Sequence, residues 1–311
     1  AAALLAADNL LLVHSRIATL DIYAVTAMIW AAVLYLRGHP LAAGAVIGVG
    51  TTAKEVTPYL LLALLLLELL RAHRDRGAVG PALARVAICA ASAAVVFVGL
   101  LALLDWIAPP YDPLRHKLVG GGVFGHIHFM LDYGANQTSP HGPQGIASYP
   151  WGWLVDIKPI LYLNINPARP VPGLLHVHPA AHFLGMINPA ILLVGLPGLA
   201  TAAWRVLAGG TRLRRPRGRL PHPQGPGKAA AGDVELLGLA WFAGTFTPFV
   251  LLSLIDDRTS YLYYMVIVMP GIYVCAAQLV ARIRPPPRWI WAWAVTIAIA
   301  VVVMYPFTPL P

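Results

Sequence analysis

The chain has 311 residues, 58% of them hydrophobic and only 11% charged, with a mean hydropathy of +0.68. A soluble domain carries roughly 25% charged residues, so the composition excludes that class and predicts an all-α, polytopic integral membrane protein, multi-pass in the cell membrane with lipid as its first partner. The net charge of +9 raises nucleic acid as a partner, but on a polytopic chain basic residues mark cytoplasmic loops, and no nucleic-acid binding is expected.

The first stretch, "AAALLAADNLLLV", is too short to cross a bilayer and reads as the tail of a helix that starts upstream, the chain being the C-terminal part of a larger protein. "LVHSRIATLDIY" then places Arg16 and Asp21 at the mouth of a span expected at 20 to 36. The apolar run 41 to 70 is interrupted by "KEVTP" at 54 to 58. Either one long tilted helix carries Lys54 and Glu55 at mid-membrane, or two short helices turn there, each about 20 Å long against a hydrocarbon core of roughly 30 Å. Further spans are expected at 81 to 104, 183 to 204, 235 to 255, 262 to 281 and 289 to 305. All belong to one transmembrane domain, 1 to 311. Cys89 and Cys275 fall in separate apolar runs and read as packing residues.

Basic residues decide between the two readings of "KEVTP". A hairpin turning outside puts 15 of the 22 basic residues in cytoplasmic loops and leaves seven outside with nine of the 13 acids. A single helix inverts everything downstream and puts 14 of the basic residues beyond it outside, against the orientation rule. The hairpin is therefore expected. Its topology makes 205 to 232, rich in Pro, Gly and Arg, a basic cytoplasmic loop, and 106 to 182 a long extracytoplasmic loop. Within the latter, Trp151, Trp153 and Tyr162 suit a helix lying in the headgroup layer.

Arg16, Asp21, "KEVTP" and the turn "DDRTSYLYY" at 256 to 264 then fall on one side. Each has a plain structural reading. Asp21 can cap its helix, Arg16 can reach headgroups, Lys54 can pair with Glu55, and Arg258 can pair with Asp256 or Asp257. Their shared leaflet favours function, because ionisable groups at membrane depth mark sites. An arginine fork suits lipid phosphate, and a nearby carboxylate can accept a proton from an attacking hydroxyl.

"HSRIATLDIYAVTAMIWAAVLYLRG" followed by "AKEVTPYLLLALLLL" resembles the membrane core of dolichyl-phosphate-mannose protein mannosyltransferases and related phospholipid-carrier-dependent glycosyltransferases of the GT-C fold. "ASYPWGWLVDIKPILYL" and "DRTSYLYYMVIVMP" are similar to the family's outer-loop segment and late Arg/Tyr/Pro turn. The resemblance implies inverting transfer of mannose or a similar hexose from a polyprenyl or dolichyl phosphate to a hydroxyl, on protein Ser/Thr or on a lipid or glycan acceptor, at the extracytoplasmic side. By it Asp21 and Arg16 are catalytic, and Lys54, Glu55, Lys158, Arg258 and Tyr261 surround the carrier phosphate. The family's acidic pair, taken to include the general base, has no counterpart here and is expected upstream of Ala1. The donor being a lipid phosphate, no cofactor is expected.

"HVHPAAH" (His176, His178, His182) and "HIH" (His126, His128) can bind zinc as clusters, but no carboxylate or thiolate completes a ligand spacing, and a metal is not favoured. The rival class is a transporter or flippase of a lipid-linked or anionic solute, which also breaks helices at charged groups. No matching pair of broken segments appears in the two halves. The topology is testable by cysteine labelling from outside: a probe at Asn136 is modified and one at Gly218 is spared.

Overall fold

A computed structural model of the chain describes residues 1–75, 77–165, 181–208 and 231–304. The chain opens with α1 (Ala2–Ala6) and α2 (Asn9–Arg16), then α3 (Leu20–Leu36), α4 (Pro40–Ala53), α5 (Tyr59–Asp75) and α6 (Val79–Ile107). A loop region carries β1 (Tyr111–Asp112), β2 (Lys117–Leu118), α7 (Gly122–Ala135), α8 (Pro150–Trp153), β3 (Ile160–Ile165) and β4 (Ala181–Gly185). Then come α9 (Pro189–Ala208), α10 (Ala231–Ile255), a 3-10 turn (Leu262–Tyr264), α11 (Met265–Ile283) and α12 (Pro287–Met304). Five helices are long and apolar enough to cross a membrane, and a sixth span results if α2 and α3, bent by 116°, count as one. A multi-pass helical membrane protein is what these spans describe.

The opening stretch is broken where the sequence reading has one helix tail. Asp8 ends that continuity: its carboxylate accepts the Leu10 amide at 3.0 Å and caps α2. α3 stops at Gly38, whose φ of +87 needs no Cβ, and Pro40 starts α4 with a backbone already suited to a first turn.

"KEVTP" is a hairpin turn. Lys54 meets Asp21 at the start of α3, whereas Glu68, late in α5, shares Arg85 with the Tyr35 carbonyl at the end of α3. α4 and α5 therefore run in opposite directions along α3, and the ends of these helices lie at two opposite poles. At the pole opposite Lys54, Glu68 pairs with Arg71 and Arg85, Asp233 with Arg71 and Arg74, and Glu235 with Arg205 and Arg282.

α11 is the central helix, with every residue from Met265 to Tyr273 buried. It packs against α9 and α10, α10 against α5, and α4 between α3 and α6. Small residues allow these approaches. Gly44 and Gly48, one helical turn apart on α4, face backbone oxygens of Cys89 and Ala93 on α6, and Gly238 and Gly271 face each other's carbonyls across α10 and α11. Both cysteines are free and buried in these contacts. α12, by contrast, is largely exposed, as a lipid-facing helix is.

The loop region differs from the expected one in three places. Residues 181–185 are strand, so the span expected from 183 begins at Pro189, where the Asn188 side chain caps it through the Ala190 amide. Residues 160–165, following Pro159, pair with that strand. The expected headgroup-level helix with Trp151, Trp153 and Tyr162 is replaced by one turn, α8. Trp153 is buried against Phe246, Phe249 and Tyr264, and only Trp151 is exposed. An exposed helix does lie in this region, α7, with Phe124, Leu131 and Tyr133 outward.

A methyl at Gly48 comes within 2.7 Å of the Ala93 carbonyl oxygen, while one at Gly99 meets nothing. Gly48→Ala is expected to lower stability by about 1–3 kcal/mol and Gly99→Ala to leave it unchanged, read by thermal unfolding in detergent.

Candidate functional site

The site is built at the pole where α3 begins, α4 turns into α5, and α10 turns into α11. Lys54 caps α4 with extended backbone, which carries its side chain back toward α3. Its Nζ lies 2.7 Å from both oxygens of Asp21, in the first turn of α3, and both side chains are largely buried. The ammonium also sits 4.9 Å from the Tyr263 ring centre and 5.2 Å from that of Tyr264. Carboxylate and aromatic faces together lower the cost of holding a cation away from water. Tyr261 stacks on Tyr263 at 5.1 Å with a 9° interplanar angle, extending the aromatic wall.

A second layer comes from α2 and the loop region. His14, fully buried, places Nδ1 2.9 Å from the Thr19 hydroxyl and Nε2 2.9 Å from the Tyr162 hydroxyl, with its ring edge-on to Tyr162. Burial, and after it the Asp21 carboxylate, push the Tyr162 phenol above its ordinary range. Thr19, the residue at the N-terminal boundary of α3, thus links that helix through His14 to β3.

Arg258 occupies the α10–α11 turn. Its guanidinium donates to the Gly134 carbonyl, and it lies close enough to Tyr59 and Tyr264 to act on them electrostatically. Lys158 donates to the Ala147 carbonyl at 2.8 Å, and the next residue, Ser148, binds the Ser260 carbonyl through its amide. Both cations have hydrogen-bond partners, yet those partners are neutral. Neither makes an ion pair among the described residues.

Of the residues singled out in the sequence, the structure thus brings Asp21 and Lys54 into contact and joins Tyr261 to them through Tyr263. Arg258 acts on Tyr264, the other ring beside Lys54, and Lys158 anchors the loop segment that rests on the 258–260 turn. Glu55 is exposed, and Arg16 lies on the exposed end of α2. The plain pairings of Lys54 with Glu55 and of Arg258 with Asp256 or Asp257 are replaced by Asp21 and the Gly134 carbonyl. His14, Tyr162 and Tyr263 are additions. His14 stood inside the quoted motif, and nothing in one sequence ties it to a strand 148 residues away.

His176 and His178 lie outside the described residues. His126 instead meets Asp105 at 2.7 Å, and among the described residues no group of three His, Cys, Asp or Glu is placed to hold a metal. Comparisons with family models, curated proteins and solved structures find no match to the chain.

Removing one member of a buried pair strands the other. Asp21→Ala is expected to cost about 3 kcal/mol, and adding Lys54→Met is expected to restore most of it in thermal unfolding. A double variant no more stable than Asp21→Ala would show that the pair is not what holds this turn.

Proposed function

We propose that the protein is a membrane glycosyltransferase that moves a hexose from a polyprenyl-phosphate carrier to a hydroxyl acceptor, with inversion, at the extracytoplasmic face. The observation that carries this reading is the pole itself: Arg258 and Lys158, which among the described residues bond to carbonyl oxygens and make no ion pair, beside a buried Asp21–Lys54 pair and a wall of tyrosines. A cation without an ion pair at a membrane interface suits an anion, and phosphate on a lipid is the anion found there. Aromatic faces suit the apolar face of a sugar ring. The motif resemblance of the Arg16–Asp21 and Lys54 segments points to the same chemistry.

In this reading the acceptor hydroxyl attacks the anomeric carbon from the side opposite the phosphate. The C–O bond to phosphate breaks, its electron pair leaves with the polyprenyl phosphate, and Arg258 with Lys54 stabilises the departing charge. Asp21, whose two oxygens are taken by Lys54, acts as a positioning residue for that lysine. The proton of the acceptor goes to a carboxylate base that the quoted motifs do not contain.

The test is transfer from a synthetic polyprenyl-phosphate hexose by the purified protein in detergent. Arg258→Gln keeps a donor for the Gly134 carbonyl but removes the charge, and is expected to lower turnover by about two orders of magnitude with the thermal midpoint little changed. Asp21→Asn, which cannot balance Lys54, is expected to fall similarly. Release of free polyprenyl phosphate should fall in step. Transport of the intact lipid-linked sugar across vesicles, without cleavage, overturns the reading in favour of a flippase.

A further inference from the structure

Away from Lys54, two carboxyl groups from distant parts of the chain meet at one corner. Asp8, fully buried between α1 and α2, accepts the amides of Leu10 at 3.0 Å and Asn188 at 3.2 Å on Oδ1, and the Tyr273 hydroxyl at 2.5 Å on Oδ2. Asp156, in the turn after α8, accepts the Ile187 amide at 3.1 Å on Oδ1. The two side chains therefore grip consecutive amides just ahead of α9. Among the described residues no basic side chain acts on either one. The polar groups around them are Tyr273 from α11, Asn9 from α2 and Asn188 before α9; α12 offers only the Ile297 carbonyl, taken by the Asn188 amide group.

This corner has too few donors. Asp156 Oδ2 is buried with no hydrogen-bond partner, and so is Oδ1 of Asn9, whose other end donates to the Leu184 carbonyl at 2.7 Å. Asp156 also holds a φ of +51, a left-handed backbone rarely kept by a non-glycine residue unless its surroundings impose it. A buried acceptor without a donor is costly, and two adjacent carboxylates without a cation cannot both stay ionised. One added proton turns an acceptor into a donor and removes one of the two charges.

We propose that Asp8 and Asp156 form a proton-binding site, a carboxyl pair that holds one proton and fastens the loop after α8 to the junction of α2, α9 and α11. The electrostatics agree. Burial pushes Asp156 up to about 7, opposed by the Ile187 amide and reinforced by the neighbouring Asp8. Burial pushes Asp8 up to about 6 against its hydrogen bonds from Tyr273, Leu10 and Asn188. Both shifts are upward, so the folded chain binds protons more tightly than the unfolded one. The stabilisation is complete below the ordinary carboxylate range and is lost as pH rises through about 6 to 7.

Asp156→Asn tests this directly, because the asparagine amide supplies a permanent donor where Oδ2 lies and removes the charge. In the purified full chain in detergent, the infrared carbonyl band of a protonated carboxylic acid should be present near pH 5, fade by about pH 8, and lose amplitude in Asp156→Asn. The apparent thermal midpoint of the parent should fall over the same interval, while that of Asp156→Asn stays flatter and exceeds the parent at the alkaline end. Equal pH dependence in parent and variant overturns the proposal, as does a carboxylic-acid band unaffected by the substitution. Stabilisation of the parent, but not of Asp156→Asn, by added calcium or magnesium also overturns it, assigning the corner to a metal cation.

Discussion

The bidentate contact between Asp21 and Lys54 is the constraint around which the Lys54 pole is organised. A lysine in the middle of a thirty-residue apolar run cannot remain inside hydrocarbon without an anion, and the one that meets it stands on the first turn of α3. Meeting it ends α4 at Ala53 and sends α5 back along the bundle. The turn then brings Lys54 against Tyr263 and Tyr264, so the α10–α11 junction packs on the same point. Three chain reversals are held at one level by one charge pair and the rings around it.

The two poles use the same residue types in different ways. Opposite Lys54, Glu68, Asp233 and Glu235 are each shared by two basic side chains, and arginine forks join α5 to α6 and α10 and α10 to α9 and α11. Those are fasteners, with charge answered by charge. At the Lys54 pole, Arg258 and Lys158 satisfy their hydrogen bonds with carbonyl oxygens and keep their charge. Satisfying a donor and neutralising a charge are separate requirements in a low dielectric, and only a group that meets the first without the second attracts an anionic ligand.

What could be read in the sequence follows the reach of each signal. Membrane spans announce themselves because a bilayer demands a long continuous apolar stretch, so α3, α6, α10, α11 and α12 fall close to their expected limits. The hairpin at Lys54 was legible through charge asymmetry, a property of the whole chain. The β3–β4 pairing was not, because "ILYLNI" and "AHFLG" are short apolar runs whose local pattern fits helix or strand alike, and their partner is set by register across the loop. Asp21 and Lys54 were each visible as misplaced charges, but their contact, 33 residues apart, needed the turn between them. The Thr19–His14–Tyr162 chain needed the loop's path as well.

That path also shows what the loop does for the site. It is attached by backbone pairing of Thr138 with Arg258, by the Ser148 amide on the Ser260 carbonyl, by Trp153 under the aromatic cluster, by Tyr162 on His14 and by Asp156 on the Ile187 amide. The first two hold the turn that carries Arg258, and the fourth joins β3 through His14 and Thr19 to the start of α3. A segment fastened at this many points to the elements that carry the charges is a wall of the site rather than a cover laid over it. Its sequence is accordingly rich in residues that bond sideways, Ser139, Ser148, Trp153, Asp156 and Tyr162, and these polar groups find partners inside the protein.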